Sequence, residues 1–470
     1  MNSYKKLLGN SFVFAVGNLG SKVISLILVP LYTYYLSTTE YGVVDLVTTT
    51  GTMILPIVSS SIYESVLRFT MDQKQKSDRI LTNSIVIATI GFFIFMAFYP
   101  VFVYFNIFES YLNYLYLLVL VQLFERIFAQ YARAIGEVKI FAINGVLLTF
   151  STGIMNILFL VYFNLGIRGY FTSLVISNVI SLVYLLIATK AYKKISFKLF
   201  NKSFSKELFG YALPMVPNSL MWWLINASSR YFIGFFVGIS ANGLFAVASK
   251  IPSLINMINQ VFNQAWQLSA IEEYESENKS LFYSTVFFSL SSVMFLGTSV
   301  IIILVKVLFA NILSIEYYNA WKVVPFLVLG AVFSCFSGFL GTNYIAAKET
   351  KGVFKTSVYG GVISLALNLA FIPSFGIVGA GISSMLSFFA MFYIRVLDTK
   401  KYIELKIDWR HFFGNLSIIF MQIFILTINM SLFYESIIEI TLLFILLILN
   451  KKMLKQFMNI FQFSKLLNND

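Results

Sequence analysis

Charge is what this chain is shortest of. Only 12% of its 470 residues are Asp, Glu, Lys or Arg, about half the share of an ordinary soluble domain. So little charge cannot cover a water-soluble fold of this length, and most of the exterior must face hydrocarbon. Acid is scarcer than base, 21 residues against 34, which leaves a net charge of +13. A basic excess can serve nucleic acid, but here the basic residues lie between apolar runs, the pattern of a membrane protein's cytoplasmic face. Nucleic acid is therefore not an expected partner. A single cysteine, Cys335, excludes an intramolecular disulfide and a cysteine-based metal site. The single histidine, His411, stands beside Trp409 and Arg410 where an apolar run begins. It reads as an interfacial residue, because one histidine alone makes no metal site. No metal or cofactor is expected. The chain has no G-x-x-x-x-G-K-[ST] loop, so ATP is not the expected fuel.

What is present is apolar: 58% hydrophobic residues, including 50 Phe and 27 Tyr, with a mean hydropathy of +0.81. A bilayer core of about 30 Å takes about 20 helical residues. Breaks at charge clusters and at Gly, Pro or Asn joints then leave fourteen spans, at 10–36, 41–67, 80–105, 111–133, 140–163, 167–189, 208–237, 242–268, 281–308, 322–346, 354–373, 376–397, 412–431 and 434–450. Charge tests the count. The termini and the even-numbered joints hold 27 of the 34 basic residues, whereas the odd joints hold Arg168, Lys306 and Lys322. One helix too many or too few would scramble this alternation, which places both termini in the cytoplasm. The expected fold is an all-α integral membrane protein of about 14 transmembrane helices.

The long basic joint 190–206 divides the chain, and its halves resemble one another. LSTTEYG after the first span matches VGISANG after the seventh, pairing Gly42 with Gly243. GEVK matches KETK, pairing Glu137 with Glu349. NLGIRG matches SFGIVG, so that Gly166, Gly169, Ser173 and Ser177 fall on Gly376, Gly379, Ser383 and Ser387. Three collinear matches predict two pseudo-symmetric six-helix lobes, 1–200 and 201–405, in a parallel repeat. Residues 406–470 then hold two further helices and a basic tail. The paired serines stand at i,i+4, where small residues chiefly allow close helix approach. The pair Trp222-Trp223 is likewise read first as packing and second as a platform for a sugar ring.

Ionisable residues deep in apolar runs mark a polar pathway, since each is costly against lipid. The basic ones are Lys22, Arg126, Arg230 and Lys250; the acidic ones are Glu64 and Glu125, with Asp45 nearer a helix end. Glu64 and Arg68 stand at i,i+4 and are expected to pair. Lys22 and Arg126 either pair with a carboxylate or touch substrate. Arg230 and Lys250 lie in a half whose six helices carry no deep carboxylate, which favours a substrate role.

The opening GNSFVFAVGNLGSKVISLILVPLYTYYLSTTEYGVVDL, the run PIVSSSIYESVLRF and the stretch FIPSFGIVGAGISS resemble the polysaccharide-exporter branch of the multidrug/oligosaccharidyl-lipid/polysaccharide flippase superfamily, the Wzx-type flippases of O-antigen and capsule units. Tyr41-Gly42 and Arg68-Phe69 stand where that family carries similar pairs. The resemblance implies two lobes around a partly cationic cavity, working by alternating access. It implies an undecaprenyl-pyrophosphate-linked oligosaccharide as substrate, moved from the inner to the outer leaflet of a bacterial inner membrane. Membrane lipids, and a polysaccharide polymerase and glycosyltransferases, are the implied partners. In that setting Lys22, Arg126, Arg230 and Lys250 are candidates for the pyrophosphate, and Glu125, Glu64 and Asp45 for a coupled ion. The alternatives within the superfamily are a flippase of peptidoglycan precursors and a multidrug exporter. A polytopic sugar polymerase or glycosyltransferase is the alternative of another class. It fits poorly, because the outer joints are short and no Ser/His/Asp set exists, so an enzyme is not expected.

Overall fold

Helices make up the regular structure of the computed structural model, which describes residues 20–72, 76–347, 349–428 and 430–453; none of these is in a strand. The all-α expectation holds. The start of the first expected span, and the basic residues Lys5, Lys6, Lys74, Lys348, Lys455 and Lys465, lie outside the described residues. In chain order the helices are α1 (20–35), α2 (Thr38–Val58), α3 (Ile62–Met71), α4 (Ser77–Ala97), α5 (Tyr99–Tyr104), α6 (Leu112–Ala134), α7 (Val138–Asn156), α8 (Gly166–Ala188) and α9 (Lys202–Ala212). They continue with α10 (Met215–Phe236), α11 (Ile239–Ala248), α12 (Pro252–Glu272), α13 (Lys279–Asn311), α14 (Val324–Ala346), α15 (Thr350–Thr399), α16 (Trp409–Thr427) and α17 (Leu432–Leu449).

Most expected spans overlap one helix or two consecutive ones, 354–373 and 376–397 share α15, and the breaks have local causes. Proline stops three of them. Pro56 lies in the last turn of α2, and Ser60 and Ser61 then take left-handed backbone (φ 49° and 53°) before α3 begins. Pro214 separates α9 from α10, and Pro252 opens α12 just after α11. Proline lacks the N–H that would continue the ladder and fits best in a first turn. At the other end, α2 starts on a capping box, in which Ser37 and Glu40 satisfy each other's backbone N–H. Nine helices among the described residues are long and apolar enough to cross a membrane by length and composition. The chain is a multi-pass membrane protein, and the count of fourteen spans remains a proposal.

Tertiary contacts gather the chain into two compact units, Met1–Ala246 and Val247–Asp470. In the first, α6 packs against α2, α3 and α8. Its Leu115, Val119, Leu123 and Ile127 are fully buried, as an all-apolar stripe at helical spacing requires. In the second, α14 is the central helix, flanked by α12, α13 and α15, and it is buried nearly all round. A cluster of Phe287, Phe295, Phe336, Phe392 and Phe412 ties α13, α14, α15 and α16 together.

The matched joints of the two units share a backbone device. Gly166 and Gly376 both take positive φ, 53° and 58°. Gly376 bends α15 into two helices, with ψ −135°, a combination that only glycine adopts readily. A Cβ on Gly379 would strike the Phe371 carbonyl, and one on Gly169 would press against that of Phe159 at 3.0 Å. The matched serines are buried, and the hydroxyls of Ser173, Ser177 and Ser387 donate to the carbonyl four residues back on their own helices. That geometry serves packing.

Among the described residues, two basic residues assigned to joints are buried inside helices. Lys306 is buried within α13. Arg395 is buried within α15, where its guanidinium donates to Thr356 Oγ1 (2.9 Å), Ser337 O (2.7 Å) and Ser357 Oγ (3.1 Å). Charge alone misplaced both, because a cation met by internal acceptors is compatible with an apolar run.

Candidate functional site

Three of the sequence-predicted residues, Glu64, Glu125 and Arg126, line one cavity of the first unit, of about 340 Å³. The helices place them there by register. Glu64 stands in the first turn of α3, and Glu125 and Arg126 in the C-terminal half of α6. Tyr63 and Asn144 are also in the wall. The Arg126 guanidinium lies over the Tyr63 ring, 5.7 Å from its centroid, and is exposed. Glu125 is held differently. Asn144 Nδ2 donates to its Oε1 (2.7 Å), and Ser181 Oγ donates to Asn144 Oδ1 (2.7 Å) with Glu125 Oε1 at 3.3 Å. One carboxylate is thus fixed by neutral donors, beside an arginine that reaches into open space. Such a cavity offers an anion a guanidinium fork and offers a cation or proton a carboxylate.

The expected pairing of Glu64 with Arg68 is not what forms. Arg68 points away and reaches Asp72 across the surface at 4.0 Å, while Glu64 faces the cavity. Both arrangements satisfy i,i+4 spacing, so local sequence alone could not choose.

Arg230 is not left without a carboxylate. Its Nε donates to Asp45 Oδ2 at 2.8 Å, and both side chains are largely buried. Nη1 also donates to Asn226 O (3.1 Å), and the guanidinium lies over the Phe245 ring. Asn242 joins the group, donating from Nδ2 to Gly42 O (3.1 Å) and to Asp45 Oδ2 (3.3 Å). The reading of an unneutralised Arg230 is thereby corrected: its partner comes from α2, in the other half of the repeat. Asp45 and Arg230 neutralise each other, which leaves neither openly presented.

This ion pair stands beside a very close helix approach. A Cβ on Gly42 would meet Ile239 O at 2.1 Å, and one on Gly243 would meet Thr38 O at 1.9 Å. The Thr38 and Ser240 hydroxyls share a hydrogen bond of 2.7 Å. The two glycines matched by the internal repeat therefore pack on one another.

Lys22 is half-buried on α1 and is not among the residues lining the cavity. Lys250 is half-buried in the second unit, in the short break between α11 and α12. Trp222 is exposed, and Trp223 donates from its indole to Thr49 O (3.1 Å). Asn144, Ser181 and Asn242 were missed. Their signal was polarity deep in apolar spans, visible only when neutral side chains are counted with charged ones.

Residues 7–267 match the family model of the polysaccharide biosynthesis proteins. No curated protein sequence was found to match the chain. Among solved structures, the lipid II flippase MurJ in an inward closed conformation is similar over 95% of this chain and 99% of that one, with a TM-score of 0.74 at 12% identity. An inward-facing multidrug resistance MATE family transporter of the MOP superfamily is similar over 83% of this chain and 95% of its own, with a TM-score of 0.65 at 13% identity. A Vibrio cholerae MATE transporter is similar over 84% and 96%, with a TM-score of 0.58 at 13% identity. The fold is therefore that of the MOP superfamily transporters, and the matched model, covering more than half of the sequence, shows that the chain belongs to the polysaccharide biosynthesis protein family.

Proposed function

We propose that the protein is a flippase that moves an undecaprenyl-pyrophosphate-linked oligosaccharide, an O-antigen or capsule repeat unit, from the inner to the outer leaflet of a bacterial inner membrane. The observation that carries this reading is extent. The drug-transporter structures reach 83–85% of the chain, whereas the lipid II flippase reaches 95% of it. The family match points to polysaccharide rather than to drugs. Residues 1–200 and 201–405 act as the two lobes, with 406–470 added to them. Arg126 receives phosphate charge in the cavity, and Lys22 of the first unit and Lys250 of the second are separate candidates for phosphate contact outside it. Glu64 and Glu125 serve as ion sites, and Asp45 with Arg230 holds the two halves of the repeat together. Membrane lipids surround the chain, and a polymerase and glycosyltransferases supply and consume its cargo.

The test is deletion of the gene followed by analysis of lipid-linked oligosaccharides. The unit should accumulate in the inner leaflet, and purified protein in vesicles should restore its exposure outside. A peptidoglycan-precursor role is the second reading, favoured by the lipid II flippase fold. Accumulation of peptidoglycan precursor instead of oligosaccharide would select it.

A further inference from the structure

The interface of α13, α16 and α17 holds a buried polar cluster that neither the repeat nor the cavity explains. Lys306 Nζ donates to Glu435 Oε2 at 2.7 Å, and the ammonium lies 4.7 Å from the Trp321 ring centroid. One turn further along α17, on the same face, stands Glu439. It is 1% exposed, and the one donor near its carboxylate is the Gln422 amide, which does not reach it in normal hydrogen-bond geometry. Gln422 of α16 lies beside it, fully buried, with neither amide atom closing a normal hydrogen bond. The charged groups facing Glu439 are Glu435 from its own helix and Lys306 from α13; α16 contributes the neutral Gln422.

The charges do not balance. One ammonium serves two carboxylates, and Glu435 already holds it. An ionised carboxylate cannot remain buried without donors or a counter-ion. A metal cation would need several oxygen ligands, and the neighbouring Lys306 ammonium repels it. No group of three or more His, Cys, Asp or Glu residues is placed for a metal among the described residues. A proton needs one oxygen and nothing more.

The interface also offers a route. Ser292, Ser299 and Lys306 recur every seven residues on α13, hence on one face, and both serine hydroxyls are buried without a partner. At the other end of α17, Asn450 Nδ2 donates to Asn415 Oδ1, and Asn415 lies against His411. Polar groups thus line this seam from His411 to Glu435.

We propose that Glu439 is a proton-binding site, reached along the seam between α13, α16 and α17, which couples the proton gradient to transport. The proton arrives from water and rests on a Glu439 oxygen while Lys306 is engaged by Glu435. When Lys306 turns to Glu439 instead, the proton passes to Glu435, the carboxylate the ammonium has released, and it leaves to water from there as the ammonium returns, so that one carboxylate is always paired and the other protonated. The coupling rests on the transport reading, whereas the protonation does not.

The experiment is infrared spectroscopy of the full chain in lipid nanodiscs, at the carbonyl stretch of un-ionised carboxylic acids. Wild type at neutral pH should show a band that Glu439→Gln removes. Lys306→Met should strengthen the band, because both acids then hold protons. Glu435→Gln should weaken it, because Lys306 is released to ionise Glu439. An unchanged band in Glu439→Gln, or one moved by sodium and not by pH, overturns the proposal. In vesicles, Glu439→Gln should lose stimulation by a pH gradient and keep gradient-free exchange of lipid-linked oligosaccharide. Full stimulation in that variant refutes the coupling. If wild type moves no such lipid at all, the transport reading fails, and the infrared result stands or falls separately.

Discussion

Arg126 and Arg230 read alike in the sequence, each a guanidinium deep in an apolar helix, yet they have opposite surroundings. Arg230 shares a buried ion pair with Asp45, 185 positions earlier in the chain. Removing one partner of such a pair leaves a buried charge and costs about 3 kcal/mol. Arg230→Ala and Asp45→Ala should therefore each reduce membrane abundance and melting temperature. The double variant should regain most of the loss, and equal damage in all three would dissociate the residues. Arg126 is exposed, and its contact with Tyr63 is worth about 0.5–1 kcal/mol. Arg126→Ala should thus accumulate normally but export poorly, and Arg126→Lys should recover only part, because it keeps charge without the fork. Abundance measured beside export of lipid-linked oligosaccharide checks both arginines. The sequence placed both residues inside helices, and the structure has them there. It could not pair them, because pairing depends on which distant helix lies opposite, and hydropathy does not distinguish Asp45 from Glu64 or Glu125 as the partner of Arg230. Lys306 escaped for a related reason: near a span end it reads as a joint residue, and its burial against Glu435 and Trp321 is a tertiary fact.

At the level of elements, the joints were more legible than the helices' interiors. The repeat Gly42/Gly243 was visible as a weak match of seven residues, and the structure shows why glycine stands at both. The opposed carbonyls of Ile239 and Thr38 leave no room for a methyl group. Likewise, NLGIRG and SFGIVG each carry a glycine with positive φ. What periodicity could not show is that several spans are two helices, since a proline break in a hydrophobic run changes direction without changing hydropathy. The contact of α2 with α11 leads to a further prediction. If the proposed lobes 1–200 and 201–405 work by alternating access, their ends must separate during each cycle, and this contact joins an element of each. Thr38→Cys with Ser240→Cys, in a Cys335→Ser background, should form a disulfide, because the native hydroxyls are 2.7 Å apart. The cross-linked protein should not transport, and reduction should restore activity. Undiminished transport by fully cross-linked protein would mean that α2 and α11 stay together throughout.

At the scale of the whole molecule, membrane topology decides whether any of these sites faces the correct compartment. The charge pattern assigns the joint 190–206 to the cytoplasm and the joint near 309–321 to the outside, separated by three spans. Burial constrains how this can be probed. Asn242, in an expected outer joint, is fully buried and hydrogen-bonded to Gly42 O and Asp45, so a reagent could not reach it even if the topology were correct. Ile315 and Lys198 are both exposed. Single cysteines at these positions, again with Cys335→Ser, should react from opposite sides of the membrane. An impermeant maleimide added to intact cells should label Ile315→Cys and spare Lys198→Cys until the membrane is opened. Labelling of both from outside would mean that an even number of crossings separates them, which breaks the fourteen-span count between α8 and α14. Labelling of Lys198→Cys alone would keep the count and invert the chain, turning the proposed direction of transport and the open end of the Arg126 cavity to the other face. Because 26 of the 34 basic residues lie at the termini and even joints once Arg395 is set aside, inversion would oppose the strongest orientation signal in the sequence. The expected outcome is therefore labelling of Ile315→Cys alone.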